Sequence, residues 1–401
     1  MAGVINFTSN KPTSIKKFKS SLTIGNKNTS KFSATYNSPI NNKIFFRTSI
    51  SKYQTNGFIE NNYTNSRNTN SKNEGLVKIS LLRKANNVKT VNYNIYLINL
   101  DNKYDQWTPN NNGYTTYTNY QGYDKQLSKA LSIKRTIKLN KGILTRISTY
   151  SNNELTYSYD GDWGNNDYWS NSPYNWDANY WGYEYSFPDS TNRNKKHKSK
   201  EIRFSNDNLT FGAYFSDLKE TDKRYGWIFA GADSMVSAFD IKNSSIYLHL
   251  NDNSKNKTIL NATCRIDNYI TKNNLSYRIY NWDTFSYDTY NDIKTSIKDD
   301  FFGISFNFIH RINKTDNLQL NISNGYKTAG INQSPNFSEY RYYETEKAQN
   351  IELGYQISNN NYSININSFY IKRINPQLRV FGQLNMFDPT SFDYGTVNGK
   401  K

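Results

Sequence analysis

The sequence predicts an all-β chain: a transmembrane, antiparallel up-and-down β-barrel. Three observations point there. Apolar residues recur at every second position over much of the chain. Short polar turns alternate with long polar connections. The composition is also contradictory for a globular domain. Only 36% of the 401 residues are apolar and mean hydropathy is −0.86, yet 16% are aromatic, with 34 Tyr, 22 Phe and 7 Trp. Disordered chains lack such aromatics. A barrel wall with one oily and one wet face accommodates both facts, since a wide barrel has no greasy interior.

The period-two segments appear in order. "NKIFFRTSISKY" sets Ile44, Phe46, Thr48 and Ile50 against Phe45, Arg47, Ser49 and Ser51. "GLVKISLL" sets Val77, Ile79 and Leu81 against Lys78 and Ser80. "VNYNIYLIN", "LSIKRTIKLN" and "YSININSFYI" repeat the pattern, with Arg135 the one polar interruption on the oily side of the fourth. Turns such as "KANN", "LNKG", "INKTDN" and "ISNNN" are short, whereas residues 101–127, 151–198 and 326–346 are long polar connections. Tyr-rich strand ends suit aromatic girdles at membrane borders. A soluble sandwich or propeller alternates as well, but asks for more uniform Val, Ile and Leu inward and short loops at both ends.

Other classes are disfavoured. The net charge of +17 raises nucleic-acid binding, but the cations are scattered, and "RNKKHKSK" (193–200) is the one dense basic run. Cys264 has no partner for an intramolecular disulfide. His197, His249 and His310 lack ligand spacing, so no metal or cofactor is expected. No Ser/His/Asp set and no phosphate-cradling glycine loop appears, which argues against an enzyme. There is no run of 18 apolar residues and no leader pattern.

Six further stretches occur in order: "AGVINFTSNKP", "FFRTSISKYQTNGFIENNY" (Asn56-Gly57-Phe58 followed by Asn61), "SKEIRFSND", "ISNGYKTAGIN" (with Ala329), "YRYYETEKAQNIELGYQ" (Tyr343, Glu346, Glu352, Gly354 and Gln356) and "FYIKRINPQLRV" (Pro376-Gln377). Together they resemble TonB-dependent outer-membrane receptors of the siderophore type. The first is similar to that family's segment linking plug to barrel, and the second carries a turn like the family's. Ala329 stands in place of a common Gly, and Gln356 in place of Lys. The resemblance implies that residues 1–12 are the last plug strand and link. It implies that residues 13–401 are a partial barrel of about 14–16 of 22 strands, with most of the plug missing. It implies residence in the cell outer membrane, contact with its lipid, a ferric siderophore or similar small ligand, and the TonB complex as a partner through the missing plug. A piece of this kind is expected to be inactive alone.

Two loops are candidate ligand contacts. Residues 157–187 hold Trp163, Trp169, Trp176 and Trp181 among eight other aromatics, with five carboxylates and no Lys or Arg. Trp163, Tyr168, Trp169, Trp176, Tyr180 and Trp181 either present stacking faces to a ligand or pack into a minicore of their own. In residues 323–346, Tyr326, Lys327, Asn332, Tyr340 and Arg341 are candidates for an anionic chelate, and Gly325, Gly330 and Glu346 for backbone geometry. Arg47, Lys78, Lys134, Lys138 and Arg146 are expected to line the interior.

Overall fold

A computed structural model describes residues 8–399, apart from 109, 111, 183, 229–231, 256, 282, 335–336, 338 and 384–391. Strands dominate, and successive long strands neighbour one another in one large sheet. The chain divides into two compact units, Met1–Ile137 with Ser148–Asn194, and Lys138–Ile147 with Lys195–Lys401.

The first unit contains β1 (Lys17–Gly25), β2 (Thr29–Asn41), β3 (Ile44–Thr55), β4 (Glu60–Asn61), β5 (Lys72–Lys84), β6 (Lys89–Tyr104) and β7 (Thr115–Thr116). It also holds most of β8 (Gly122–Leu139) and β9 (Gly142–Asp160), two short helices, α1 (Asn166–Ser170) and α2 (Ala178–Trp181), and the start of β10 (Pro188–Ser205). Its sheet runs β1-β2-β3-β5-β6-β8-β9-β10. Turns 42–43 and 85–88 are short, while 56–71, 105–121 and 161–187 are long. β1 is an edge strand with all nine residues exposed.

The second unit continues through β11 (Leu209–Ile228), β12 (Ala232–Lys255), β13 (Thr258–Asn281), β14 (Ser286–Arg311), β15 (Asp316–Lys327), β16 (Gly330–Ile331), β17 (Tyr342–Tyr343), β18 (Glu346–Ser358), β19 (Ser363–Ile374), β20 (Gln377–Gln383) and β21 (Phe392–Asn398). Its sheet order is β10-β11-β12-β13-β14-β15-β18-β19, with β19 an exposed edge, and β16–β17 and β20–β21 are separate pairs. Turns 140–141, 206–208, 312–315 and 359–362 are short, and the long connection is 328–345.

Register explains the composition. In the first unit the cross-strand rows Ile50–Val77–Leu97 and Ile79–Ile95–Leu131 share one face. In the second, Ala213–Ile246–Ile266–Phe302 and Phe211–Leu248–Cys264–Ile304 do the same. These rows are not covered: Ile246 is 60% exposed and Phe302 55%. Only seven hydrophobic residues are buried among the described residues, and buried Asn, Ser, Thr and Asp outnumber them. Among the described residues the one buried apolar cluster is Met235, Leu275 and Tyr277. The oily rows therefore do not meet in a dry two-layer interior, as a soluble sandwich requires.

The opposite face is polar and hydrogen-bonded. Arg265 grips Asp267 through two nitrogens at 2.7 and 2.8 Å and donates to Ser245 at 2.8 Å. Tyr326 donates to the same Asp267 and stacks on Phe301 with ring centroids 4.5 Å apart. Asn273 donates to Ser237 at 2.9 Å. Arg47 and Lys78 lie on this polar face, alternating with Ile50, Val77 and Ile79, and Lys134 alternates with Ile133. Phe45 shares the polar face too, and is buried with the Lys84 ammonium 5.1 Å from its ring centre. Arg146 departs from expectation: it follows buried Thr145 and is exposed, so alternation places it on the other face. Val4, Ile5 and Phe7, read from sequence as a strand, lie outside the described residues, and residues 8–12 carry no strand.

Candidate functional site

In the first unit, three loops are tied together by buried polar groups. Gly57 adopts φ +76°, and a Cβ there would sit 2.1 Å from Asn70 Oδ1. Asn70 Oδ1 accepts from the Ile59 amide at 3.2 Å. Four residues beyond Gly57, buried Asn61 donates through Nδ2 to the Thr118 carbonyl at 2.9 Å, to Thr118 Oγ1 at 2.8 Å and to Asp105 Oδ2 at 3.2 Å. Its Oδ1 accepts from the Tyr63 and Thr64 amides at 3.0 Å each. Asp105 Oδ2 also accepts from Thr116 Oγ1 at 2.8 Å and from Thr69. Burial pushes the Asp105 carboxyl up, against these hydrogen bonds.

Loop 161–187 is anchored by Asp160 and Asp162. Asp160 Oδ2 accepts the Asn119 and Tyr120 amides at 3.2 and 3.1 Å. Asp162 accepts the Gly164 amide and Trp169 Nε1, both at 3.0 Å, and the Phe187 amide at 2.8 Å. Asn165 caps α1, accepting from the Tyr168 amide at 2.9 Å, and donates to the Tyr117 carbonyl at 2.6 Å. Asp177 caps α2 through the Asn179 and Tyr180 amides.

The aromatics divide between minicore and surface. Tyr168 contacts Tyr117, Trp169 and Tyr174, and Trp169 contacts Tyr174 and Tyr185, at centroid distances of 4.7–5.5 Å. Trp176 stacks on Trp181 at 5.2 Å and 11°. Trp163 stacks on Trp107 at 6.2 Å. Trp181 remains 55% exposed and Tyr180 79%. Trp169, Trp176, Asp177, Glu184 and Tyr185 border an open cleft of about 420 Å³. Both readings of this loop therefore have residues behind them: Tyr168 and Trp169 pack inward, while Trp163, Tyr180 and Trp181 present rings to solvent.

In the second unit the candidates are placed differently. Tyr326 sits in the sheet, bound to Asp267. Asn332 is buried and donates to the carbonyls of Tyr340 at 2.6 Å and Thr396 at 2.8 Å, while its Oδ1 accepts the Thr396 amide at 2.9 Å. Arg341 donates to the Asn332 carbonyl at 3.0 Å. Lys327 pairs in register with Glu346 at the end of β15. Tyr340, at 57%, and Lys327 are the exposed members of this set. The motif residues prove to be clamps. Glu346 accepts Arg373 Nε at 2.7 Å and the Gln377 amide at 2.9 Å. Gln377 Nε2 donates to the Thr328 and Glu344 carbonyls at 2.8 and 3.0 Å. A Cβ at Gly330 would overlap the Tyr343 hydroxyl. No group of three or more His, Cys, Asp or Glu that could hold a metal ion occurs among the described residues.

No family model matches the sequence, and no curated protein does. Solved structures do match in fold. The ferric yersiniabactin uptake receptor FyuA of Yersinia pestis aligns with TM-score 0.70 at 12% identity, over 92% of this chain and 56% of its own. The siderophore receptor PiuA of Acinetobacter baumannii gives 0.63 at 13%, over 97% and 60%. The ferric-catecholate import receptor Fiu of E. coli K12 gives 0.61 at 11%, over 97% and 62%. The fold is that of the TonB-dependent receptor barrel. The chain spans little more than half the length of these structures.

Proposed function

We propose that this chain is the greater part of the barrel of a TonB-dependent outer-membrane receptor. It sits in the outer membrane with its apolar rows in lipid. The observation that carries this is the outward row set: Ile246, Ile266 and Phe302 are exposed while the facing surface is knit by charged and amide hydrogen bonds. That arrangement is stable only where hydrocarbon covers the oily side.

The ligand class we infer is a ferric siderophore, in line with what the similar structures are named for. Trp163, Tyr180 and Trp181, all in the first unit, are its contacts. Aromatic faces suit catecholate rings. The intact receptor would work with the TonB complex through a plug. This segment by itself is expected to bind without transporting.

The test has two parts. The refolded chain should migrate faster unboiled than boiled on a detergent gel and should cofractionate with outer membranes. Ferric tris(2,3-dihydroxybenzoate) should quench its tryptophan fluorescence saturably, and Tyr180→Ala with Trp181→Ala should weaken that at least about tenfold, matching two stacking contacts of about 1 kcal/mol each. Quenching unchanged in the double variant would remove the loop from the binding site.

A further inference from the structure

We propose that the outer face of β10–β14 carries a binding patch for the phosphate-bearing headgroup of a membrane lipid. It rests on the placement of this face in a bilayer.

The cross-strand rows, followed from turns 206–208 and 312–315 toward turn 283–285, change character abruptly. After Ala213–Ile246–Ile266–Phe302 comes Phe215–Ser244–Asn268–Asp300, the last two joined by a 2.6 Å hydrogen bond. The next rows are Asp217–Lys242–Ile270–Lys298, then Lys219–Asp240–Lys272–Ser296, then Thr221–Ala238–Asn274–Lys294. Strand alternation puts these side chains on the same face as Phe211, Ile246, Ile266 and Phe302, and all five lysines are exposed. They outnumber the two aspartates, Asp217 and Asp240, in the same three rows. No ion pair among the described residues engages any of the five. An open cleft of about 650 Å³ lies among Lys219, Asp240, Lys272 and Lys294.

The basic run noted in the sequence extends the same patch. Lys195 pairs with Glu220 at 3.3 Å, and Glu220 alternates with the outward Lys219. Lys196, Lys198 and Lys200 therefore alternate onto the outer face with Ile202, and all four are exposed. A band with this excess of positive charge at the rim of an oily belt repels itself in part, Asp217 and Asp240 offsetting only some of it. A multivalent phosphate with acyl chains relieves that repulsion and covers the belt at once. Rows are about 7 Å apart along the strands, so the first lysines stand one row beyond Phe215, at headgroup height. Neutral carbohydrate or a protein partner offers no reason for cations at that level.

The full chain, refolded in dodecyl maltoside, is titrated with diphosphorylated lipid A and followed by native mass spectrometry. The triple variant Lys219→Gln, Lys272→Gln, Lys294→Gln should bind about tenfold more weakly, and added salt should weaken the parent. Millimolar inorganic phosphate should not displace the lipid. Equal affinity in parent and variant, or displacement by inorganic phosphate, overturns the proposal. Heat-modifiable migration of the same samples separates the two levels. Both proteins barrel-like with no difference in lipid A binding sinks this inference alone, whereas failure to form a barrel sinks the membrane placement with it.

Discussion

Asp160 and Asp162 form a carboxyl pair at the root of the aromatic loop, hydrogen-bonded to each other while each holds a different set of loop amides. Asp160 Oδ1 is buried with no N–H or O–H donor facing it, which disfavours its charged form. Burial, then the Asp162 carboxylate, pushes the Asp160 carboxyl up from its ordinary 3.8 to about 8. The folded loop thus binds a proton that the unfolded loop releases above about pH 4. Its contribution is complete below that pH and is lost as pH rises through about 8. Hydrogen exchange in residues 105–121 and 157–187 should accelerate between pH 5 and 9 beyond its intrinsic dependence. Asp160→Asn, which keeps the shape and adds a permanent donor, should flatten the excess. An identical profile in that variant would refute a protonated Asp160 at neutral pH.

A carboxylate in the second unit responds in the opposite sense. Arg373 beside Glu346 holds its carboxyl below the usual range, with help from the Gln377 amide. The clamp is therefore present above about pH 4.5 and is lost as pH falls below it. Limited proteolysis of residues 375–383 should increase on acidification, and Glu346→Gln should make neutral-pH samples cleave as the acidified parent does.

The Asp105 node predicts a local rather than global failure. Asp105→Ala strands the hydroxyl donors of Thr69 and Thr116 in a buried site, while Asn61 keeps its bonds to Thr118. Each such orphan costs about 1–3 kcal/mol, enough to free loops 56–71 and 105–121 while the sheet persists. Protease sites should open in those loops with little change in far-ultraviolet circular dichroism. Gly57→Ala should do the same at the other end of the node, because φ +76° and the 2.1 Å approach of Asn70 leave no room for a methyl group.

The belt was legible in the sequence because each strand carries its own period-two signal, independent of its neighbours. Ile79, Ile95 and Leu131 fall on one side in three separate segments and meet only through register. The loop clamps were not legible. Asn61 meets Thr118 across 57 residues, and Asn332 meets Thr396 across 64. Such contacts leave no periodic trace, and a buried Asn reads from sequence like an exposed one. Glycine gave the better local signal: Gly57 sits at a turn that only its backbone fits. The lysine rows escaped notice for a third reason. Lys242, Lys272 and Lys298 lie on different strands, and only antiparallel register assembles them.

The lipid-facing assignment makes a prediction that a soluble reading reverses. Ile266 sits in the middle of the outward rows, 50% exposed, between Ile246 and Phe302. Four apolar rows from Leu260–Phe308 to Ala213–Phe302, with Phe215 the one apolar residue of the fifth, span about 27 Å along the strands at ~3.4 Å per residue, and about 21 Å once strands tilt by about 40°. That approaches the ~25 Å apolar band of outer-membrane barrels. Ile266→Arg touches no buried group, so in water it removes exposed apolar surface and should raise solubility if the protein is soluble. In a bilayer an arginine near the midplane costs about 2–4 kcal/mol. Folding into short-chain phosphatidylcholine vesicles, read by heat-modifiable migration, should therefore fall by more than about tenfold for Ile266→Arg and scarcely change for Lys272→Arg, six residues further along the same face. Equal folding of the two variants would place Ile266 in water and remove the membrane from the account.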